Sequence, residues 1–135
     1  MRYLLDTDIC IYLIKKKPHS VIQELSKLAT SDIALSTVTL FELKFGVENS
    51  HQRERAASAL QDFIAPIQHV LPLDVRAASG AAKIRADLKR QGTPIGPYDL
   101  LIAAIACSND LILVSNNIRE FQRIDGLKLE NWIRS

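Results

Sequence analysis

The chain of 135 residues is 47% hydrophobic and carries 17 basic against 15 acidic residues, for a formal net charge of +2. This length fits a single domain, residues 1–135, and the mild charge means that any affinity for nucleic acid must come from local clusters. No apolar run reaches the length of a membrane span, and Asp6 and Asp8 interrupt the apolar region that a signal peptide would need. We therefore expect a cytoplasmic protein without a membrane partner.

Short apolar runs alternate with helical patterns along the chain. The runs predict strands at residues 3–5, 33–35, 67–71 and 111–114, with an edge strand within 127–132. The helical patterns cover residues 7–17, 18–28, the segment from the 36–39 turn to about 48, and residues 52–64, 75–91 and 98–108, with a short turn at 118–121. This alternation predicts an α/β fold with a mostly parallel sheet of four or five strands and helices on both faces.

The two cysteines, Cys10 and Cys107, both lie in apolar helical patterns. Neither belongs to a CxxC motif or to a Cys/His spacing typical of a metal site. We therefore predict that both are buried, reduced thiols.

Acidic or amide side chains recur where predicted strands and helices meet the carboxyl edge of the sheet, the edge at which open α/β sheets bind ligands. Four residues share this position, namely Asp6, Glu42, Asp99 and Asn117. Carboxylates gathered in one place repel each other unless a cation neutralises them, and oxygen ligands without thiolate or imidazole favour Mg²⁺ or Mn²⁺ over zinc. Such a site can activate water and neutralise charge on a phosphodiester, as in metal-dependent nucleases.

The acidic residues also have structural interpretations. Helical spacing from Val38, Phe41 and Phe45 places Glu42 on a core-facing stripe, where a lone carboxylate is costly. The spacing of Thr39 and Glu42 equally fits a capping box, in which the glutamate only bonds the helix start. Asp99 lies in a first helical turn, where the helix dipole favours an anion. The spacing leaves these alternatives open.

Two basic clusters are candidates for holding an RNA backbone. Lys15, Lys16 and Lys17 end the first helix, and Arg85 and Lys89 share one face of the long helix 75–91. Both clusters are also compatible with simple solvent exposure, because lysines suit a helix C-terminus and charged faces are normally solvated.

Four segments, taken in order, resemble the motifs of PIN-domain ribonucleases. They are Leu4–Ile9, Ser36–Leu43, Pro97–Ala103 and Leu113–Phe121. The resemblance spans the whole chain and is closest to the VapC toxins of bacterial toxin–antitoxin modules, in particular to their enteric branch. It implies a PIN-like three-layer α/β/α sandwich in which Asp6, Glu42 and Asp99 match the acidic residues of the family.

The same resemblance implies a Mg²⁺-dependent endoribonuclease that cleaves initiator tRNA in its anticodon region and so arrests translation. It further implies a homodimer, held inactive in a hetero-oligomer by a VapB antitoxin whose tail lies across the active-site groove. The chain departs from the family pattern in two places: Asp8 stands where asparagine is common, and Asn117 stands where many PIN domains carry a fourth aspartate. Glu120, one helical turn further on, could supply that missing charge.

Two other functions compete with the nuclease. Asp6 and Asp8 resemble the DxD start of haloacid-dehalogenase-type phosphatases, although Cys10 replaces the expected hydroxyl residue and the chain leaves little room for the later motifs. A non-catalytic RNA- or protein-binding module on the same fold is the second alternative, because fold does not determine function. The joint retention of Asp6, Glu42 and Asp99 argues against that module.

Overall fold

The apolar runs of the sequence form a parallel sheet in the computed structural model, which describes residues 1–133. Its strands are β1 (Tyr3–Leu5), β2 (Ile33–Ser36), β3 (His69–Leu71), β4 (Ile112–Val114) and β5 (Lys128–Glu130). All four neighbouring pairs are parallel, in the order β3-β2-β1-β4-β5. The predicted α/β fold with a largely parallel sheet is therefore confirmed, and β3 and β5 are shorter than the patterns indicated.

Seven α-helices and one short 3₁₀ helix (Thr30–Asp32) connect the strands within residues 1–133. The α-helices are α1 (Thr7–Lys15), α2 (His19–Ser26), α3 (Thr37–Glu48), α4 (Arg53–Ile64), α5 (Val75–Gln91), α6 (Pro97–Ser108) and α7 (Ile118–Phe121). Helix α1 ends two residues earlier than expected, because Lys16 adopts a left-handed conformation with φ of 59° and closes the helix. None of the helices in the described part of the chain has the length and hydropathy needed to cross a lipid bilayer.

Alternate residues of the central strands face opposite sides of the sheet, as the strand period of two requires. Tyr3 and Leu5 of β1 face the core under α1 to α4, whereas Leu4 faces the core under α5 to α7. In β2 and β4, Leu35 and Val114 lie on the first side, whereas Ala34 and Leu113 lie on the second. The two cores make the molecule a three-layer α/β/α sandwich, as expected.

The strand order reverses its direction at β1. The chain first adds β2 and β3 on one side of β1 and then adds β4 and β5 on the other side. In parallel α/β sheets, such a reversal leaves a crevice between two neighbouring loops at the carboxyl edge, and ligands bind there. Asp6 directly follows β1, and the segment 115–117 directly follows β4, so both lie at this crevice.

Two predictions about buried residues are wrong. Cys10 is fully buried, but Cys107 is exposed, because its side chain lies on the surface side of the last turn of α6, in which Ile105 and Ala106 stay fully buried. Phe41 and Phe45 are 52% and 59% exposed, so the stripe on α3 that was expected to face the core faces outward. Leu43 is instead the buried side chain in the middle of this helix.

Candidate active site

Asp6 lies at the centre of the crevice because the central strand β1 ends there. Its backbone N–H donates to the Val114 carbonyl at 3.1 Å, which extends the pairing between β1 and β4 by one residue. Its Oδ1 accepts the Ile9 N–H at 2.9 Å and so caps α1. The side chain is only 3% exposed, and the hydroxyl of Ser115, which follows β4, also bonds to it. Asp6 is thus fixed by both neighbouring elements.

Glu42 reaches the site from the second turn of α3. Its Oε1 accepts a hydrogen bond from the Thr7 hydroxyl at 2.6 Å, and the residue is partly buried. The N-cap of α3 is Ser36, whose Oγ accepts the Thr39 N–H at 2.9 Å. The capping box with Thr39 as the cap is therefore wrong, since Thr39 already lies inside the helix. Glu42 does not cap α3, and its side-chain partner is Thr7.

Asp99 lies in the first turn of α6, behind the proline- and glycine-rich loop 92–97. The next turns of α6 are almost entirely buried under the sheet, so the start of this helix is held rigidly. Asp99 is partly buried, and the nearby Asn117 amide acts to lower its pKa, against the larger effect of burial. Asp99 therefore lies directly after this loop and at the start of a largely buried helix.

Asn117 and Glu120 belong to the same cluster. The Asn117 N–H donates to Ser115 Oγ at 2.8 Å, and its side-chain Nδ2 donates to Glu120 Oε2 at 2.9 Å. The Asn117 amide therefore donates to Glu120, and as a donor near Asp99 it partly offsets the rise in the pKa of that carboxyl. Glu120 stands close enough to Asp99 to be the largest single charge acting on it.

The carboxylates of the crevice repel one another. Burial raises the pKa of Asp6 to about 7, and the charges of Asp8 and Asp99 add to this rise. Burial also raises the pKa of Asp99 to about 6, followed by the charges of Glu120, Glu42 and Asp8. None of these five carboxylates forms an ion pair with a basic side chain within residues 1–133. The site thus has excess negative charge without a protein counter-ion.

This donor set fits a hard divalent cation, because all candidate ligands are oxygens and their charge is uncompensated. In residues 1–133, no three acidic, histidine or cysteine side chains yet converge as a complete metal site. Three of the carboxylates are engaged elsewhere: Asp6 Oδ1 caps α1, Glu42 is held by Thr7, and Glu120 is held by Asn117. Their mutual repulsion disfavours close approach, and a cation bound between them would offset that repulsion.

Comparison with known proteins connects this cluster to an RNA-cleaving family. The family profile described as "PIN domain" matches residues 3–127. The tRNA(fMet)-specific endonuclease VapC of Salmonella typhimurium is 45% identical over 132 residues, which cover 98% of each chain. The chain belongs to the VapC family of PIN-domain ribonucleases. It is therefore an RNA-cleaving hydrolase.

Further VapC proteins and their structures agree with this assignment. A Haemophilus influenzae protein named ribonuclease VapC2 is 39% identical over 133 residues, covering 98% of this chain and 99% of that protein. The crystal structure of Rickettsia felis VapBC2 bound to a promoter DNA fragment matches with a TM-score of 0.91 and 39% identity, over 98% of this chain and 100% of that chain. The crystal structure of DNA-bound VapBC from Salmonella typhimurium matches with a TM-score of 0.91 and 44% identity, over 98% of this chain and 99% of that chain.

The basic candidates lie on two helices, α1 and α5, that the chain connects to the VapC-type cluster. Helix α1 starts beside Asp6 and is nine residues long, so Lys15–Lys17 lie about 14 Å away, at its far end. Lys89 lies in the last turn of α5, which leads through the loop 92–97 to Asp99, and Arg85 lies one turn earlier. All five side chains are exposed. Lys15 is nine residues from Asp6 and Lys89 is ten residues from Asp99, so neither basic cluster is clearly nearer the crevice in sequence.

Sequence reasoning missed two hydroxyl residues and undervalued one acid. Ser115 bonds to Asp6, and Thr7 bonds to Glu42. Ser115 could have been identified from its position directly after β4, which corresponds to the position of Asp6 directly after β1. No feature of the sequence pointed to Thr7. Asp8 is exposed, yet its charge acts on both Asp6 and Asp99.

Proposed function

We propose that this VapC-family chain is the toxin of a toxin–antitoxin pair and hydrolyses initiator tRNA in its anticodon region, which stops translation. The observation that carries the proposal is the cluster of five uncompensated carboxylates at the crevice of an RNA-cleaving hydrolase. The choice of RNA is supported by the Salmonella and Shigella flexneri relatives, which are 45% and 46% identical and are named tRNA(fMet)-specific endonucleases.

Mg²⁺, or Mn²⁺ in its place, is the proposed cofactor, held by Asp6 and Asp99 directly and by Glu42 directly or through water. When bound, such an ion neutralises the charge that develops on the scissile phosphate and makes a water more acidic. Asp6 and Asp99 keep their positions through β1 and α6, whereas Glu42 accepts a proton from the attacking water. The water oxygen bonds to phosphorus as the bond to the 3′ oxygen breaks, and the leaving 3′ oxygen takes up a proton from solvent, which gives a 5′-phosphate and a 3′-hydroxyl.

Sequencing of RNA ends tests the substrate. Total tRNA incubated with the purified protein and Mg²⁺ is expected to yield one dominant cut, in the anticodon region of initiator tRNA, with a 5′-phosphate on the downstream fragment. A matched Asp99→Asn sample should yield no such end, because a ligand of the proposed cation is lost while the helix start keeps a polar side chain. Intact initiator tRNA with the wild-type protein, or the same ends with Asp99→Asn, would contradict the proposal.

Glu120 is proposed as the fourth carboxylate, in place of the aspartate that Asn117 replaces. Glu120→Gln keeps an oxygen for the Asn117 Nδ2 donor but removes one charge beside Asp99. The affinity for Mn²⁺ should therefore fall about tenfold, as is typical when a group around a metal site is altered. Calorimetric titration with MnCl₂ measures this, and Glu54→Gln, on the exposed start of α4, is the matched control. Equal affinity of Glu120→Gln and wild type would exclude a role for Glu120.

The proposed partner is a VapB-type antitoxin, as in the VapBC complexes that the fold matches. A groove between α1, α3 and α4 encloses about 170 Å³ and is lined mainly by apolar side chains, including Ile11, Leu43, Val47 and Leu60. Glu42 lies on the wall of this groove, so a segment bound there would end beside the carboxylates. This arrangement supports inhibition by an antitoxin tail that covers the site.

A homodimer is proposed as the form that meets the antitoxin. Phe41, Phe45 and Tyr98 are 46% to 59% exposed, and the rings of Phe41 and Tyr98 contact each other edge to face at 5.7 Å. Monomeric proteins rarely expose clustered aromatic side chains, because their burial against a partner is favourable. The patch therefore supports association of two copies beside their active sites.

A further inference from the structure

A pair of threonine hydroxyls stands behind Glu42. Thr7, the first residue of α1, has its Oγ1 2.6 Å from Glu42 Oε1 and 3.1 Å from Thr39 Oγ1. A hydroxyl has one proton, and a carboxylate can only accept. The Thr7 proton therefore goes to Glu42, and the Thr39 hydroxyl donates to Thr7. The two hydroxyls form a directed chain that ends on one oxygen of Glu42.

Rigid elements hold both hydroxyls. Thr39 is fully buried, and its backbone N–H is fixed by Ser36 Oγ at the start of α3. Thr7 directly follows Asp6 and lies in the capped first turn of α1. Within residues 1–133, Thr7 is the only side chain that hydrogen-bonds to Glu42. The orientation of this carboxylate thus depends on a single protein donor.

We propose that Thr7, supported by Thr39, is a positioning residue that turns Glu42 Oε1 toward α1 and leaves Oε2 for the cation or the attacking water. This inference rests on the proposed function, because Glu42 needs a fixed orientation only if it serves a reaction. Groups that orient metal ligands typically change metal affinity or activity by about 10- to 100-fold when they are removed. A tie that merely joins α1 to α3 would change stability alone.

The test compares Thr7→Val with Thr7→Ser. Thr7→Val keeps the shape of the side chain but cannot donate, so the affinity for Mn²⁺ should fall about tenfold and kcat for RNA cleavage about 10- to 100-fold. The KM for RNA should change less than about threefold, because Glu42 acts at the reacting centre. Thr7→Ser restores the donor and should stay within about threefold of wild type in each quantity. Thr37→Val, on the exposed first turn of α3, is the matched control.

A double-mutant cycle isolates the route of the effect. If Thr7 acts only through Glu42, then adding Thr7→Val to Glu42→Gln should leave the Mn²⁺ affinity of the single Glu42→Gln variant unchanged within about twofold. Independent, multiplying effects of the two substitutions would overturn the proposal. Calorimetry without RNA supplies the affinities, and circular dichroism establishes that each variant is folded. Thr7→Ala replaces Thr7→Val if the valine variant does not fold.

The outcomes separate this inference from the proposed function. A wild-type protein that binds no Mn²⁺ and cleaves no RNA with Mg²⁺ would refute the proposed function itself. A wild-type protein that binds Mn²⁺, together with a Thr7→Val variant of equal affinity and equal kcat, would overturn only the role of Thr7. Loss of affinity in Thr7→Ser as large as in Thr7→Val would also overturn it, because the donor is then irrelevant.

Discussion

Asp6→Asn is expected to slow RNA cleavage about 10³-fold or more, because a cation contributes several kcal/mol of transition-state stabilisation and about 4 kcal/mol corresponds to that factor. Asparagine has nearly the same shape but removes the charge from the residue at the centre of the crevice. The fold should persist, since an asparagine oxygen can still accept the Ile9 N–H that caps α1. The loss therefore reports on chemistry rather than on folding.

Single-turnover cleavage of initiator tRNA at saturating Mg²⁺ measures this loss. Asp62→Asn is the matched control. This substitution makes the same chemical change at an exposed position on α4, away from the crevice. It should retain wild-type rates. Cleavage by Asp6→Asn at more than a tenth of the wild-type rate would remove Asp6 from the centre of the mechanism.

The metal-free protein is expected to lose stability as the pH rises from about 4 to about 7. Burial holds the pKa of Asp6 at about 7 in the folded state, against 3.8 for an ordinary aspartate, and burial also raises that of Asp99, to about 6. Between pH 3.8 and the raised pKa of each carboxyl, the folded state binds more protons than the unfolded state. The free energy of unfolding therefore falls as the pH rises through this range. For Asp6 the fall is on the order of 4 kcal/mol, since its pKa rises from 3.8 to about 7.

Urea denaturation at pH 5 and pH 8, with EDTA present, tests this dependence. Asp6→Asn should give a flatter profile and should be more stable than wild type at pH 8, because it carries no charge to bury. The three histidines are common to both proteins, so their titration cancels in the comparison. Addition of Mg²⁺ at pH 8 should restore stability to wild type but not to Asp6→Asn. Parallel profiles for the two metal-free proteins would contradict the explanation.

The sequence alone predicted the positions of the central strands and of the acidic residues that follow them. Strands β1, β2 and β4 lie within one residue of their predicted positions, because both faces of these strands are buried and the apolar runs are unbroken. Strands β3 and β5 are only partly buried, so their patterns are weaker and their predicted ends were too long. Asp6 followed directly from the end of β1, since the carboxyl edge of a parallel sheet is a general ligand site.

The surroundings of the acids depend on contacts that leave no local pattern. Thr39 and Glu42 have the spacing of a capping box, but Ser36 caps the helix, and this choice is made where β2 ends. The contact between Thr7 and Glu42 joins residues 35 positions apart, and no periodicity predicts it. Phe41 and Phe45 have the spacing of core residues, but α3 turns both outward, and Phe41 contacts Tyr98. The acidic residues of the site could be identified from the sequence. Their hydrogen-bond partners could be identified only from the three-dimensional structure.

The site combines a residue at the end of the central strand β1, which unfolds only with the whole sheet, and a residue on the short helix α7, which can unfold locally. The amide proton of Asp6 is locked in a bond to Val114, between strands paired on both sides of β1, so its exchange with solvent requires opening of the whole sheet. Glu120 is carried by α7, a helix of only four residues, whose amides can exchange through local opening. If a cation binds as proposed, it would contact one carboxylate on the most stable strand, Asp6, and one on a short helix that can shift locally, Glu120.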